Sequence, residues 1–390
     1  MKVCMVTTSF PRWKGDGQGI FILDLARAIV QEGIRVQVIA MHSPGAATYE
    51  CIDGVKIYRP KYWWPENLEM LRKEGGGLPA TLRKHPWIFW QIFPLIITQI
   101  LALLNRAEGS HIIHAHWSLS AGISCLGKFI SRKSYPVIAT VHGSDVFQVT
   151  RNPLGAALTR FMLQGCDRIV GVSQSLIDAV IKIGLHPDKL SVISNGVDIK
   201  RFRPISPQYR QDIILYVGSL IERKGLKFLL SALPSVFQAF PNYHLLIVGE
   251  GPQYPTLKQM SSSLGIADKV MFLGFQPHDQ VRSLMQQAKL LVLPSTEEAQ
   301  GVVLLEALAC GTPVVASRVG GIPEVITSDV GVLVPCADTD ALSEAISSIL
   351  SDTDRWLNMS EQARARAEKL YSWDQIAKQW ISVYEEVIGL

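Results

Sequence analysis

Charge is scarce in this sequence. Asp, Glu, Lys and Arg make up 18% of its 390 residues, against about a quarter in an ordinary soluble domain. No block of lysines and arginines occurs and the net charge is only +4, which excludes a basic arm and dedicated nucleic-acid binding. The six cysteines, Cys4, Cys51, Cys125, Cys166, Cys310 and Cys336, lie far apart without a Cys-x-x-Cys pair. Neither a zinc site nor a disulfide framework follows from that spacing, and a reducing cytoplasm fits it. The opening MKVCMVTTSF turns polar too soon for a secretory leader and reads as a buried strand.

Glycine (30 residues), proline (21) and apolar residues (48%) are plentiful, as in a folded globular chain too long for one core. Two domains are expected, with a cleft between them as the natural place for a site. Short apolar runs alternate with amphipathic stretches: residues 3–7, 35–40, 112–116, 136–142 and 168–172 read as strands, and 20–32 as a helix. After 202–204 the rhythm restarts, with strands at 213–217, 243–248, 269–273, 290–293 and 313–316 and helices at 227–240 and 303–310. The expected fold is α/β, two Rossmann-like doubly wound domains over residues 1–200 and 201–372, closed by an amphipathic helix in 373–390 for which two places are open, against the second domain or crossing back to the first.

The small net charge hides an asymmetry. Residues 1–200 hold 22 Lys and Arg against 14 Asp and Glu, while 201–390 hold 16 against 20. A first half at +8 beside a second at −4 suits an anionic acceptor or lipid surface on the N-terminal side. One long apolar run exists: residues 87–104 carry no charge and are flanked by Arg83, Lys84 and Arg106. Three readings are open: a buried helix, a helix on a membrane surface or receiving a lipid acceptor, and a membrane span, for which Pro94 and three polar residues are a poor fit.

Three motifs carry chemistry. The loop over residues 8–21 places Gly15, Gly17 and Gly19 before a helix, so that backbone amides can meet an anion; its spacing is not that of a dinucleotide fingerprint. At 217–225, a strand runs through Gly218 into Arg223-Lys224-Gly225, where a planar guanidinium and a point charge together suit a diphosphate leaving group. At 294–313, Glu298 precedes a helix opening at Gly301, whose first amides, of Gly301, Val302 and Val303, point at an anion while Glu298 and Glu306 can accept bonds from sugar hydroxyls.

That last segment resembles the E-x7-E signature of retaining glycosyltransferases of family 4, with Glu298 and Glu306 as the two glutamates. The likeness extends through Ile113-His114-Ala115-His116-Trp117, residues 140–145, Ser194-Asn195-Gly196-Val197-Asp198, Gly218 to Gly225 and Gly249-Glu250-Gly251-Pro252. The resemblance implies a GT-B fold, with a nucleotide-sugar donor on the C-terminal domain and an acceptor on the N-terminal one. It assigns Arg223 and Lys224 to the donor diphosphate, Glu306 to the ribose, Glu298 to the donor sugar, His142 to the reacting centre and Gly19 to the neighbourhood of the diphosphate. Ala299-Gln300-Gly301 departs from the family's Gly-Phe-Gly, and Glu297 competes with Glu298.

The expected activity is transfer of a hexose from a UDP- or GDP-linked donor, a substrate rather than a cofactor, to a lipid-linked or surface-polysaccharide glycan with retention. No metal is expected, since the cations and helix end supply the compensating charge, and no Asp-x-Asp pair or His cluster is expected to hold one. A peripheral place on the cytoplasmic membrane face accompanies that expectation. Alternatives are a nucleotide-sugar epimerase, which would act on donor alone, a non-catalytic protein that only binds sugar nucleotides, and a glycoside hydrolase, in which diphosphate-binding groups would have no purpose.

Overall fold

The computed structural model describes residues 1–71, 81, 82 and 84–389; Arg83 lies outside them. The chain forms two compact units, one from Met1–Ser194 with the chain from Ile376 onward, the other from Asn195–Gln375. The first boundary falls a few residues before 200 because the 195–198 loop is tied to the second unit. The Val197 amide donates to the Tyr371 carbonyl at 2.7 Å, and Gly196 lies so close to the Trp373 ring that a Cβ would sit 2.4 Å from it.

Eight strands build the first unit: β1 (Lys2–Thr7), β2 (Arg35–Ala40), β3 (Tyr49–Ile52), β4 (Val55–Tyr58), β5 (Ile112–His116), β6 (Val137–Val141), β7 (Arg168–Gly171) and β8 (Leu190–Val192). Their order is β3-β4-β2-β1-β5-β6-β7-β8, parallel throughout except for the β3/β4 hairpin. The central strands are buried on both faces, which is why they read as continuous apolar runs. The hairpin escapes that reading because only alternate residues, Val55 and Ile57, are buried. Its signal is Asp53-Gly54, both at positive φ (50° and 82°) in a two-residue turn. From the end of the chain, the helix Trp373–Ile388 buries Ile376, Trp380 and Tyr384 in this unit.

The uncharged segment is a short 3-10 turn, Pro86–Gln91, leading into the helix Ile92–Arg106. Pro94 lies in the first turn, where its missing N–H breaks no bond. The helix is not wholly buried. Leu95, Gln99, Ile100 and Leu103 face inward, whereas Phe93, Ile97 and Leu101 are exposed.

The second unit is an all-parallel sheet of β9 (Gln211–Val217), β10 (His244–Val248), β11 (Val270–Gly274), β12 (Ala288–Leu293), β13 (Val314–Ser317) and β14 (Gly331–Val334), in the order β11-β10-β9-β12-β13-β14. Alternation along β9 feeds two cores. Ile213 and Leu215 join Leu304, Leu305 and Leu308 of the helix Val302–Ala309, while Ile214 and Tyr216 join Leu229, Leu230 and Leu233 of the helix Leu226–Ala239.

Arg210 pins the far end of Val302–Ala309. Its buried guanidinium donates to the carbonyls of Ala288 (2.7 Å), Cys310 (2.5 Å) and Gly311 (2.9 Å) and to the Thr312 hydroxyl (2.7 Å). Burial draws its pKa down to about 10, which still leaves it charged at neutral pH. Arg210→Met strands these acceptors and is expected to destabilise the second unit by about 2 kcal/mol, read as an earlier urea midpoint.

Candidate active site

The strand order of the second unit reverses between β9 and β12, and open α/β sheets bind ligands beyond the carboxyl ends of strands at such a point. Two loops meet there. Gly225, at φ +66°, comes so near the loop after β12 that a Cβ would lie 1.9 Å from the Pro294 carbonyl oxygen, and the Thr296 amide donates to the Arg223 carbonyl at 2.8 Å. The Arg223-Lys224 turn is thereby laid against Glu298, whose carboxylate pairs with the Lys224 ammonium. Arg223 is half-buried and has no ion pair among the described residues. Gly218 follows β9 and donates its amide to the Val248 carbonyl at 3.0 Å.

Glu298 is also held through its backbone. The Gly321 amide donates to its carbonyl at 3.2 Å, and Gly320, at φ +52°, approaches so closely that a Cβ would sit 1.8 Å from that oxygen. This pair of glycines after β13 was not singled out from the sequence, although adjacent glycines at a strand end are its signal. Of the two competing glutamates, Glu298 is buried and Glu297 partly exposed. Gln300, the departure from the family pattern, accepts from the Asn195 amide (3.0 Å) and its side-chain nitrogen (2.8 Å), fastening the 195–198 loop beside the helix start.

Gly301, at φ +84°, opens the helix Val302–Ala309, and the amides of Gly301, Val302 and Val303 come before its first intrahelical bond. One turn on, Glu306 Oε1 meets His278 Nε2 at 2.6 Å. The His278 ring packs on Phe202 with centroids 5.0 Å apart, and its Nδ1 is buried without a partner. His278 is a positioning residue that no sequence motif revealed, since it opens an otherwise ordinary polar helix, His278–Gln287.

The first unit has a matching switch point, where β1 lies between β2 and β5. Gly19 follows β1, and a Cβ there would lie 2.5 Å from the Ser9 carbonyl oxygen. Gly15 and Gly17 meet nothing within 4 Å, so Gly19 is the glycine of this loop fixed by close approach. Asp16 pairs with Arg12 (2.7 Å) and closes the turn. Just beyond Gly19, Phe21 packs on His142 with centroids 5.0 Å apart, bringing the loop to the end of β6.

His142 stands at the end of a file of imidazoles. Its Nε2 is 3.1 Å from His116 Nδ1, and His114 bonds Tyr384 and Thr140 at 2.7 Å each. Burial lowers the pKa of His142 to about 3; burial and the neighbouring His142 lower that of His114 to about 3. Both rings are neutral at physiological pH. Asp145 accepts from the amides of His142 (3.2 Å), Gly143 (3.1 Å) and Ser118 (3.1 Å), clamping the ends of β5 and β6 together. Burial pushes its carboxyl up to about 6, against the pull of those bonds. Between them Trp117 sits at φ +68°, ψ 152°, a strained conformation for a side-chain-bearing residue, with its ring 4.7 Å from that of His142.

The sequence does contain two Asp-Thr-Asp triplets, at 338–340 and 352–354. Both are helix starts: Asp338 accepts from the Ala341 amide and Asp352 from the Arg355 amide, each at 2.9 Å. Among the described residues no group of three or more His, Cys, Asp and Glu side chains is placed to hold a metal ion.

Two doubly wound units, one carrying cations, a helix N-terminus and two buried carboxylates at its switch point, define a GT-B glycosyltransferase. The model of glycosyl transferases group 1 matches residues 198–366, and that of glycosyltransferase family 4 matches residues 15–201. The chain is 31% identical to a protein of Arabidopsis thaliana that forms part of phosphatidylinositol N-acetylglucosaminyltransferase, over 83% of this chain and 73% of that one. Among solved structures it resembles sucrose-phosphate synthase from Thermosynechococcus elongatus (TM-score 0.82, 23% identity, 100% and 99% of the two chains). It also resembles the Anabaena protein HepE, solved with UDP-glucose (TM-score 0.74, 20% identity, 99% and 100%). The chain belongs to glycosyltransferase family 4.

Proposed function

We propose that this transferase moves a hexose from a UDP- or GDP-linked donor to a hydroxyl of a lipid-linked or surface-polysaccharide glycan, with retention and without a metal. The observation that carries this reading is the convergence of Arg223, Lys224, the Gly301 helix start, Glu298 and Glu306 at one switch point. The cations and amides suit the donor diphosphate, Glu306 the ribose and Glu298 the sugar. The C1–O bond to the β-phosphate breaks while the acceptor oxygen bonds C1 on the same face, and the acceptor proton passes to the departing phosphate oxygen. A double displacement would need a free carboxylate at C1, and Glu298 is instead paired with Lys224. A ring as weakly basic as His142 is a poor general base, which supports its role in orienting the reacting sugar.

The glycan-building reading of the acceptor is supported by the names of relatives such as the phosphatidylinositol N-acetylglucosaminyltransferase protein. A thermal-shift panel of nucleoside diphosphate sugars tests the donor: stabilisation by one base series supports the reading, and none by any member rejects it. Conversion of the sugar in the absence of acceptor would favour an epimerase. Glu306→Gln removes a charged acceptor for the ribose and is expected to weaken donor binding about 10- to 100-fold in calorimetry, with kcat little changed.

A further inference from the structure

Three helices of the first unit lie side by side, with Ser118–Ser131 between Ile92–Arg106 and Pro153–Gln164. Small residues set that packing: a Cβ on Gly127 would lie 2.6 Å from Leu103, and one on Gly122 2.9 Å from Met162. The middle helix is inverted relative to an ordinary amphipathic one. It buries Ser118, Ser120, Ala121, Ser124 and Gly127 around a single large apolar side chain, Ile123, and turns Leu126, Phe129 and Ile130 outward, Phe129 being 80% exposed. On the third helix Leu154, Leu158 and Phe161 are likewise exposed, and on the first Phe93, Ile97 and Leu101, continued by Trp90 at 68%. A water-facing surface is built the other way round.

Charge decides what covers this face. The three helices contain no Asp or Glu, while Arg106, Lys128 and Arg160 lie on them and Arg132 and Lys133 just beyond the middle one. Lys128, Arg132 and Lys133 line a recess of about 670 Å³ together with Phe129 and Ile130. Aromatic and aliphatic side chains ringed by cations, with the neighbouring Asp167 carboxylate held by Lys128 at 3.0 Å, match the interface of an anionic bilayer, where rings enter the acyl boundary and cations meet phosphates. A second copy of this chain would set cations against cations across the symmetric contact.

We propose that this three-helix face docks the enzyme on an anionic membrane surface, with Arg132 and Lys133 of the recess taking lipid phosphates. The proposal deepens the reading of a lipid-linked acceptor and rests on it for its purpose. The docking itself rests on the face.

The test is co-sedimentation of the full chain with vesicles of equal parts phosphatidylglycerol and phosphatidylcholine, compared with phosphatidylcholine alone. Binding to the mixed vesicles is expected to exceed that to neutral ones by about tenfold or more and to weaken with salt. Ile97→Asp with Phe129→Asp and Phe161→Asp, all at exposed positions, should lower it at least about tenfold, and Arg132→Gln with Lys133→Gln should erase most of the preference for the anionic lipid. Circular dichroism and the thermal shift on nucleoside diphosphate sugars are run on the same variants. Unchanged donor binding with lost sedimentation supports docking apart from catalysis. Wild-type protein remaining in the supernatant, sedimentation unaffected by the triple variant, or a concentration-dependent dimer that the triple variant abolishes would each overturn the proposal. Sedimentation without any donor binding would leave docking standing and reject the transferase reading.

Discussion

Lys224→Ala is expected to lower kcat about a thousandfold, roughly 4 kcal/mol of transition-state stabilisation, while the donor KM changes much less. Charge develops on the β-phosphate as its bond to C1 breaks, and a cation fixed beside it acts most strongly at that moment. The ammonium is pre-positioned. The Gly225 turn is laid against the Pro294 carbonyl, and the pair with Glu298 holds the side chain before any ligand arrives. Ala also leaves Glu298 buried without its cation, so Lys224→Ala with Glu298→Gln separates the two effects. If the double variant recovers most of the loss, Lys224 serves to neutralise Glu298. If the loss persists, it serves the leaving group, as the proposed mechanism requires. Steady-state rates of nucleotide release at saturating donor check this, and wild-type turnover by Lys224→Ala would remove Lys224 from the catalytic site.

Acidification is expected to loosen the first unit by about 2–3 kcal/mol between pH 7.5 and 5.5. His114 and His116 are buried and their folded-state pKa values are depressed, to about 3 for His114, whereas an unfolded histidine titrates near 6.5. A depressed value means that the unfolded chain takes up protons the folded one refuses. The stability is therefore present above 6.5 and is lost as pH falls toward the folded value, about 1.4 kcal/mol per histidine by pH 5.5. His142 adds less because it is partly exposed. Asp145 works in the opposite direction: with its folded pKa raised to about 6, protonation of the folded state returns somewhat under about 1 kcal/mol over the same window. Amide hydrogen exchange in β5 and β6 reads this directly. Faster exchange at pH 5.5, after correction for the intrinsic rate, is the expected result, and equal protection at both pH values would show that the imidazoles protonate in place.

Much of the fold was legible because a parallel sheet covered on both faces writes itself as separate apolar runs. β2 and β5 fall at the expected residues, and β9, β10 and β12 within two residues of them. The short edge elements were not legible: the β3/β4 hairpin and β8 bury too few residues to produce a run. In the second unit, the sequence motifs pointed to Lys224, Glu298 and Gly301 because they stand in the turn after a strand or at a helix start, where chemistry and turn geometry leave a mark together, and to Glu306 one turn further on.

His278 and Gly320 left no such mark, since their roles depend on contacts with Glu306 and Glu298 that chain neighbours do not reveal. The outward face of Ser118–Ser131 was hidden for the opposite reason. Large apolar residues stand on both sides of this helix, Ile123 inside and Leu126, Phe129 and Ile130 outside, so the pattern alone does not say which side is buried. The close approach of Leu103 to Gly127 and of Met162 to Gly122 shows that the small residues face the neighbouring helices.

The most direct measurement needs no acceptor. Slow hydrolysis of an α-linked nucleoside diphosphate hexose by the enzyme, followed by proton NMR in the presence of a chelator, reports the configuration of the sugar first released, before it mutarotates. The proposed front-face mechanism predicts the α-anomer with nucleoside diphosphate released in equal amount, at a rate the chelator does not change and that Lys224→Ala abolishes. Initial release of the β-anomer, or loss of the reaction on chelation, would contradict it.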